Sequence, residues 1–134
     1  MKAVAILKIM GELGARFPIT KIWEIISYVS EMLKDERVVI INKDGVPHGV
    51  AFCSICDDYD TFYRKTTWNY KPHDPKGKIL YIELLCCKKW TKELREIFEI
   101  ELIKKYPSIE EAVWHRWASY GDRKVTYRRK ICMK

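Results

Sequence analysis

The sequence lacks several features that would assign it to a class of proteins. No apolar run approaches the roughly 20 residues that a membrane-spanning helix needs, and no secretory signal is recognisable. There are no internal repeats and no low-complexity segments. Apolar residues make up 48% of the 134 residues and aromatic residues 13%, which is not the composition of a disordered chain. We therefore expect a single soluble, cytoplasmic domain over residues 1–134, without a membrane span.

The five cysteines are an odd number, which argues against a disulfide framework in a chain without a secretory signal. Cys53 and Cys56 have the spacing of a zinc knuckle, and Cys86 with Cys87 could form its second half. Both pairs lie in apolar runs typical of strands, where residues one or three apart point to opposite faces. A zinc knuckle also needs a turn between its ligands, which the intervening residues do not offer. We predict buried free thiols and no metal site.

Other motifs of catalysis are missing too. His48, His73 and His115 are scattered, without the spacing of a metal site. No nucleophile elbow, phosphate-binding P-loop or dinucleotide fingerprint is present. The sequence therefore has no motif for serine-hydrolase, nucleotide or metal chemistry.

The positive charge is concentrated near the end of the chain. The formal net charge is +7, and residues 104–134 hold nine of the 25 Lys and Arg but only three of the 18 Asp and Glu. Such a segment suits an anionic partner, and alternate residues of a strand over 124–130 could follow a phosphate backbone. The alternative is an edge strand that basic residues protect against aggregation. The candidate anion-binding or nucleic-acid-binding residues are Arg116, Arg123, Lys124, Arg128 and Lys130.

Hydrophobic periodicity predicts three helices, over residues 3–13, 20–34 and 91–106. The first would bury Ala3, Leu7 and Met10. Thr20 is the expected N-cap of the second, and Pro107 ends the third.

Apolar and β-branched runs predict the strands, which we expect over residues 38–41, 46–55, 78–87, 111–117 and 124–131, with another near 66–70. Lys43-Asp44-Gly45 is a tight hairpin signal, and residues 119–122 form a second turn. The run over 78–87 is apolar on both faces, which is typical of a central strand covered on each side. The order of elements predicts an α+β or α/β sandwich with a mixed sheet.

Glu83 interrupts the run Ile79–Leu85, which otherwise carries no charge. A carboxylate on a central strand must pair with a cation or be protonated more readily, because desolvation penalises its charged form. Easier protonation would suit a general base, whereas pairing would make a structural ion pair with a basic side chain of a neighbouring strand. Both interpretations stay open.

The segment from Cys87 to Lys92 leads into the third predicted helix. Amides at the N-terminus of a helix, together with Lys88 and Lys89, would suit a phosphate group. No glycine is present to let a pyrophosphate approach the backbone closely, and a charged helix start is the alternative.

Short motifs in this order resemble the RTX toxin-activating lysine acyltransferases, whose fold is like that of the GNAT acetyltransferases. The layout is also similar to that of small GNAT-like proteins of tailed phages. The resemblance implies a GNAT-like mixed sheet flanked by helices, with a thioester in the gap beside the central strand. The step from Trp117 into a terminal hairpin leaves no room for the last GNAT helix. The motifs are Phe17-Pro18-Ile19, Lys43-Asp44-Gly45-Val46-Pro47, Ala51-Phe52-Cys53-Ser54 and Tyr81-Ile82-Glu83-Leu84.

The resemblance also implies an activity, the transfer of an acyl group from acetyl-CoA or an acyl carrier protein to an amine, with a protein or another amine as the acceptor. Glu83 stands at the position of the family's catalytic aspartate, and Glu83 and Tyr120 would be the catalytic residues. Gly14 occupies the position of the family's catalytic histidine, and the pyrophosphate-loop glycines have no match. The alternative is a non-catalytic module that binds nucleic acid or a protein, such as a phage accessory or structural protein, in the cytoplasm or on a virion. The cofactor-binding residues would be Cys86, Cys87, Lys88, Lys89, Thr91 and Lys92.

Overall fold

The structure is a computed structural model that describes the backbone of residues 2–56, 73–117 and 124–130, and the side chains of 2–55 and 73–113. This part of the chain has a mixed α+β fold, as the sequence predicts, and its layout is compatible with a GNAT-like domain. The predicted strand near 66–70 and the turn at 119–122 lie outside the described residues. The elements are α1 (Ala3–Glu12), a short 3₁₀ turn (Ile19–Lys21), α2 (Ile22–Lys34), β1 (Val38–Lys43), β2 (Val46–Cys56), β3 (Ile79–Cys87), α3 (Lys92–Lys105), β4 (Glu111–Trp117) and β5 (Lys124–Lys130).

The five strands form one sheet in the order β1-β2-β3-β4-β5. The β3–β4 pair is parallel and the other three pairs are antiparallel, so the sheet is mixed. β3 occupies the centre of the sheet, which confirms the prediction from its apolar faces, and β5 lies at an edge.

The hairpin between β1 and β2 turns at Asp44 and Gly45, as predicted. Their φ angles are 54° and 77°. Positive φ at both central residues is the geometry of a two-residue turn whose twist matches that of the flanking strands.

Helices cover both faces of the sheet. α1 and α2 pack on one face against Val50 and Phe52 of β2, and α3 packs on the other against Ala51 of β2 and Leu80 of β3. Because side chains alternate along a strand, consecutive β2 residues contribute to opposite core layers. α3 buries one stripe of apolar side chains, which consists of Leu94, Phe98 and Leu102.

Two details of the first helices differ from the prediction. α1 buries Ile6 and Met10, and Leu13 directly after the helix is buried too, whereas Ala3 and Leu7 are only half-buried. Thr20 is not an N-cap, because it lies within the 3₁₀ turn that precedes α2 and is exposed.

α2 ends in a left-handed residue that is not glycine. Glu36 has a φ of 57°, its N–H donates to the Leu33 carbonyl, and the Arg37 N–H donates to the Met32 carbonyl at 2.8 Å. These two bonds are those of a Schellman motif, which ends a helix with a sharp change of direction. The turn directs the chain into β1 and places Arg37 at its start.

The helices of the described residues are all too short or too polar to cross a membrane.

Candidate functional site

The central strand carries a bulge at Glu83. Phe52 of β2 pairs with Leu84, whereas the next residue, Cys53, pairs with Ile82, so Glu83 is an extra residue of β3. Such a residue shifts the alternation of side chains: Ile82 and Leu85 both pack toward α3, although they are three residues apart. Bulges of this kind re-aim side chains, and they are common beside active sites.

β3 and β4 pair over only part of their lengths. Their parallel ladder joins four residue pairs, from Ile79–Glu111 to Ile82–Trp114. Beyond Ile82, the described part of the chain has no further pairing between these strands, although β3 continues to Cys87 and β4 to Trp117. The two central strands therefore separate next to the bulge, in the same place where the sequence resemblance puts a gap.

A buried cluster of polar side chains holds the bulge. Arg37 Nη2 lies 3.4 Å from Glu83 Oε2, and both side chains are fully buried. Ser54 Oγ donates a hydrogen bond of 2.8 Å to the same carboxylate oxygen, and Arg37 donates to Ser54 Oγ as well. Arg37 Nε donates to the Cys53 carbonyl at 3.0 Å. The pairing foreseen for Glu83 is thus present, with a cation that precedes β1 rather than one on a neighbouring strand.

The Glu83 carboxylate affects the pKa values of two further buried groups, the Tyr28 hydroxyl and the Cys53 thiol. Burial and then the negative charge of Glu83 raise the pKa of the Tyr28 hydroxyl on α2, and the same two causes raise the pKa of the Cys53 thiol. Both side chains are therefore neutral at physiological pH.

An open groove of about 340 Å³ lies between the α1–α2 connection and the end of β3. Its walls are formed by Met10, residues 13–17 and residues 84–87. Apolar side chains dominate the lining, and of the described residues that line it, Arg16 alone is charged. The groove is continuous with the part of β3 that no longer pairs with β4. Gly14, which the sequence resemblance places at the position of a histidine, also lines it.

The predicted cofactor residues occupy one continuous stretch at the end of β3. Cys86 and Cys87 line the groove and are half-buried, so the prediction of a buried thiol is right for Cys53 and wrong for these two. Lys88 and Lys89 follow in an exposed turn.

α3 begins directly after this turn. Thr91 is its N-cap and accepts a hydrogen bond of 3.2 Å from the Leu94 N–H, and Lys92 is its first residue. The structure therefore brings two cysteines, three lysines and a helix N-terminus to one end of the sheet.

The remaining predicted site residues are described only in part. Tyr120 and Arg123 lie outside the described residues, and Arg116, Lys124, Arg128 and Lys130 are described by their backbones alone. The ladder with β4 pairs Arg128 with Val113 and Lys130 with Glu111, which puts these alternate positions of β5 on one face of an edge strand.

Sequence reasoning missed two arginines. Nothing marks Arg37 as buried, because it follows Asp35 and Glu36 in what resembles a solvated helix end. Arg16 directly precedes the motif Phe17-Pro18 but is not part of it, and no pattern in the sequence marks it as a site residue. Among the described residues, no group of three or more His, Cys, Asp or Glu side chains is arranged to hold a metal ion.

In comparisons with known proteins, no family model matches the chain, and no curated protein matches it significantly.

Proposed function

We propose that this chain binds an acyl thioester in the gap between β3 and β4 and transfers the acyl group to an amine. The observation that carries the proposal is the end of the β3–β4 ladder at Ile82–Trp114, next to the bulge at Glu83. Backbone groups of residues 84–87 that face away from β2 have no partner strand in the described part of the chain, and an extended ligand could bond to them.

The surroundings of the gap suit the two ends of a carrier thioester. The apolar groove beside residues 84–87 can accept the acyl group or its acceptor. Lys88, Lys89 and Lys92, with the first amides of α3, provide positive charge for the carrier's phosphates. The pantetheine part of acetyl-CoA or of an acyl carrier protein would lie between them.

In the proposed reaction the amine attacks the thioester carbonyl, the new C–N bond forms, and the C–S bond breaks to release the carrier thiolate, which then takes a proton from the solvent. The proton of the amine passes to a base, and Glu83 is the candidate for this base. Tyr120 is the second candidate catalytic residue. The Glu83 carboxylate already accepts hydrogen bonds from Arg37 and Ser54. Both of these bonds end on Oε2, and a carboxylate has lone pairs on each of its two oxygens, so Glu83 can accept a proton without losing either bond.

Calorimetric titration with acetyl-CoA and with an acylated carrier protein tests the proposal. We expect one of the two to bind, and Lys89→Glu to weaken binding about tenfold or more. The matched control is Lys76→Glu, because Lys76 is equally exposed but precedes β3, so it lies about 30 Å from Lys89 across a nine-residue strand. Binding of neither carrier, or equal losses in the two variants, would refute the proposal.

A second candidate function is binding of nucleic acid, or of an acidic protein, through β5. The position of β5 at the edge of the sheet favours it, because alternate basic positions of that strand share one face. In that case the chain is a non-catalytic binding module, and neither thioester would bind.

A further inference from the structure

The groove between the α1–α2 connection and β3 is lined mainly by apolar side chains and has one charged side chain among its described residues. Met10, Leu13, Phe17 and Leu84 make most of its surface apolar, and Arg16 adds one positive charge at its rim. No described carboxylate forms an ion pair with Arg16. Arg16 is exposed to solvent at the rim, so its guanidinium group is accessible to a ligand that brings a negative charge into the groove.

We propose that this groove binds a small carboxylate with an apolar body, whose carboxylate pairs with Arg16. The volume of about 340 Å³ lies at the lower end of the range of roughly 300–1,000 Å³ for small-molecule sites. A ligand of this kind places its chain against Met10, Leu13 and Leu84 and its charged end at the rim. The proposal concerns binding alone and does not rest on acyl transfer.

The number of cations in the groove selects a carboxylate over a phosphate. The planar guanidinium group donates two parallel hydrogen bonds to a carboxylate and compensates one negative charge. A phosphate monoester carries a charge nearer −2 at neutral pH and calls for several donors. The nearby lysines at 88, 89 and 92 are not among the groove's lining residues.

No acidic residue is among the described residues that line the groove. A polyamine or a lysine side chain would place its ammonium group near Arg16 without a counter-ion, so the groove disfavours cationic ligands. If the acyl transfer proposed above takes place, the groove would therefore receive an acceptor or an acyl group that bears a carboxylate. A site for a basic peptide would need acidic residues that the described lining does not contain.

Three matched eight-carbon probes, octanoate, octanamide and octylammonium, test the proposal, with inorganic phosphate as a fourth probe that lacks the apolar chain. We expect octanoate to shift the backbone amide resonances of Leu13–Phe17 and Leu84–Cys87 in ¹H–¹⁵N spectra. Octanamide should bind about tenfold or more weakly, because it keeps the chain and loses the charge-assisted hydrogen bonds. Octylammonium and phosphate should shift these resonances little.

Three variants locate the site, and thermal melting confirms that each one folds. Arg16→Gln should remove the preference for octanoate over octanamide, and Arg16→Lys should keep most of it. Ala15→Trp fills the groove without changing its charge, and it should weaken both ligands. Lys8→Gln is the control, because Lys8 is an exposed cation of α1 that does not line the groove.

The results that overturn the proposal are specific. Octanamide binding as tightly as octanoate would show that the ligand's carboxylate does not contribute to binding. Equal octanoate binding by Arg16→Gln and the unmodified chain would show that Arg16 does not contribute. Resonance shifts confined to residues outside the groove would show that the ligand binds elsewhere. None of these outcomes depends on whether acetyl-CoA binds, so failure here is distinguishable from failure of the proposed acyl transfer.

Discussion

The Arg37 guanidinium and the Glu83 carboxylate form an ion pair with 3.4 Å between Nη2 and Oε2, and solvent reaches neither side chain. The two residues are 46 positions apart in the sequence. Arg37 stands at the start of β1, whereas Glu83 is the bulged residue of β3, with β2 between them. The pair therefore spans three strands and fixes the central strand where it separates from β4. Its loss should affect both stability and the shape of the gap.

Breaking this pair should destabilise the fold strongly, because the remaining charge would stay buried without compensation. We expect Arg37→Met or Glu83→Leu to lower the free energy of unfolding by about 3–5 kcal/mol. The double variant should recover much of this loss, since two apolar side chains can replace a buried pair at little cost. Urea denaturation measures all three. Lys21→Met is the control, because the Lys21–Glu24 pair is more than half exposed and contributes at most about 1 kcal/mol. A loss for Arg37→Met no larger than that of the control would contradict the prediction.

The left-handed conformation of Glu36 should make a glycine substitution stabilising. A residue with a Cβ pays roughly 1–2 kcal/mol in this region, and Glu36 also places a negative charge at the C-terminus of α2, where the helix dipole disfavours it. We therefore expect Glu36→Gly to raise the free energy of unfolding by about 1 kcal/mol, after the greater flexibility of glycine in the unfolded chain is subtracted. Thermal or urea unfolding measures it.

The same substitution five residues earlier is the matched control. Glu31 is exposed and lies inside α2, where glycine costs about 1 kcal/mol relative to a good helix former. Glu31→Gly should therefore lower stability while Glu36→Gly raises it. Changes of the same sign in both variants would show that Glu36 carries no strain.

The elements that could be predicted from the sequence are those that local patterns determine. Helical spacing from Leu94 to Leu102 places α3, and Asp44-Gly45 determines the β1–β2 turn, because both signals act within a few residues. The apolar run of β3 gives its central position, since only a strand covered on both faces can bury such side chains.

The candidate site could be predicted only in part, because it depends on contacts between distant segments. Glu83 stands out as a charge in an apolar run, but its partner, Arg37, has no local signal. Glu36 adopts a left-handed conformation that is normally predicted from a glycine or asparagine. Because neither is present here, the sequence does not predict the turn that buries Arg37. The groove likewise forms only when the α1–α2 connection meets β3. The bulge has no signal either, since glycine is absent from β3.

His73 should make stability depend on pH in the mildly acidic range. Its Nδ1 accepts a hydrogen bond of 3.0 Å from the Ile55 N–H, and burial together with the positive charge of Arg37 lowers the pKa of the imidazole. The unfolded chain therefore binds a proton at this residue more readily than the folded one does. Stability is fully present above the ordinary histidine pKa of about 6.5 and is lost as the pH falls below it.

The test is urea unfolding at a series of pH values from about 7.5 to 5. His73→Gln should flatten the fall in stability over this range. His48→Gln is the control, because His48 is a partly exposed residue next to the hairpin whose ring hydrogen-bonds to the nearby Val46 carbonyl. If His73→Gln and the unmodified chain have parallel curves, the imidazole does not contribute to the pH dependence.

The thiols should differ in reactivity according to their places in the fold. Cys53 is fully buried, whereas Cys86 and Cys87 are half-buried in the groove. Burial raises the pKa of all three thiols, so the reactive thiolate is scarce at pH 7. We expect iodoacetamide to modify Cys86 and Cys87 slowly, at rates that rise toward pH 9, and to modify Cys53 only after unfolding. Peptide mass spectrometry assigns each site. Rapid modification of Cys53 in the folded chain would contradict its place in the core.

The basic positions of β5 distinguish the two candidate functions. If they bind a nucleic acid, the affinity must fall steeply with salt, because each neutralised phosphate of duplex DNA releases counterions and contributes a slope of about −0.9 to log K against log salt. Replacing Lys124, Arg128 and Lys130 with Gln should then flatten the slope by about two to three units. Measuring oligonucleotide binding at several salt concentrations, for single-stranded and duplex DNA, gives the slopes directly.

The control is a triple variant that removes equal charge elsewhere, Lys8, Lys34 and Lys76 to Gln, since all three are exposed and lie outside β5. It lowers the net charge by the same amount, so a slope that changes equally in both variants would reflect only a general attraction. A protective edge strand predicts weak oligonucleotide binding at physiological salt and unchanged acetyl-CoA binding in the β5 variant. A binding module predicts the opposite pair of results. Tight thioester binding without oligonucleotide binding favours the enzyme, and the reverse favours the binding module.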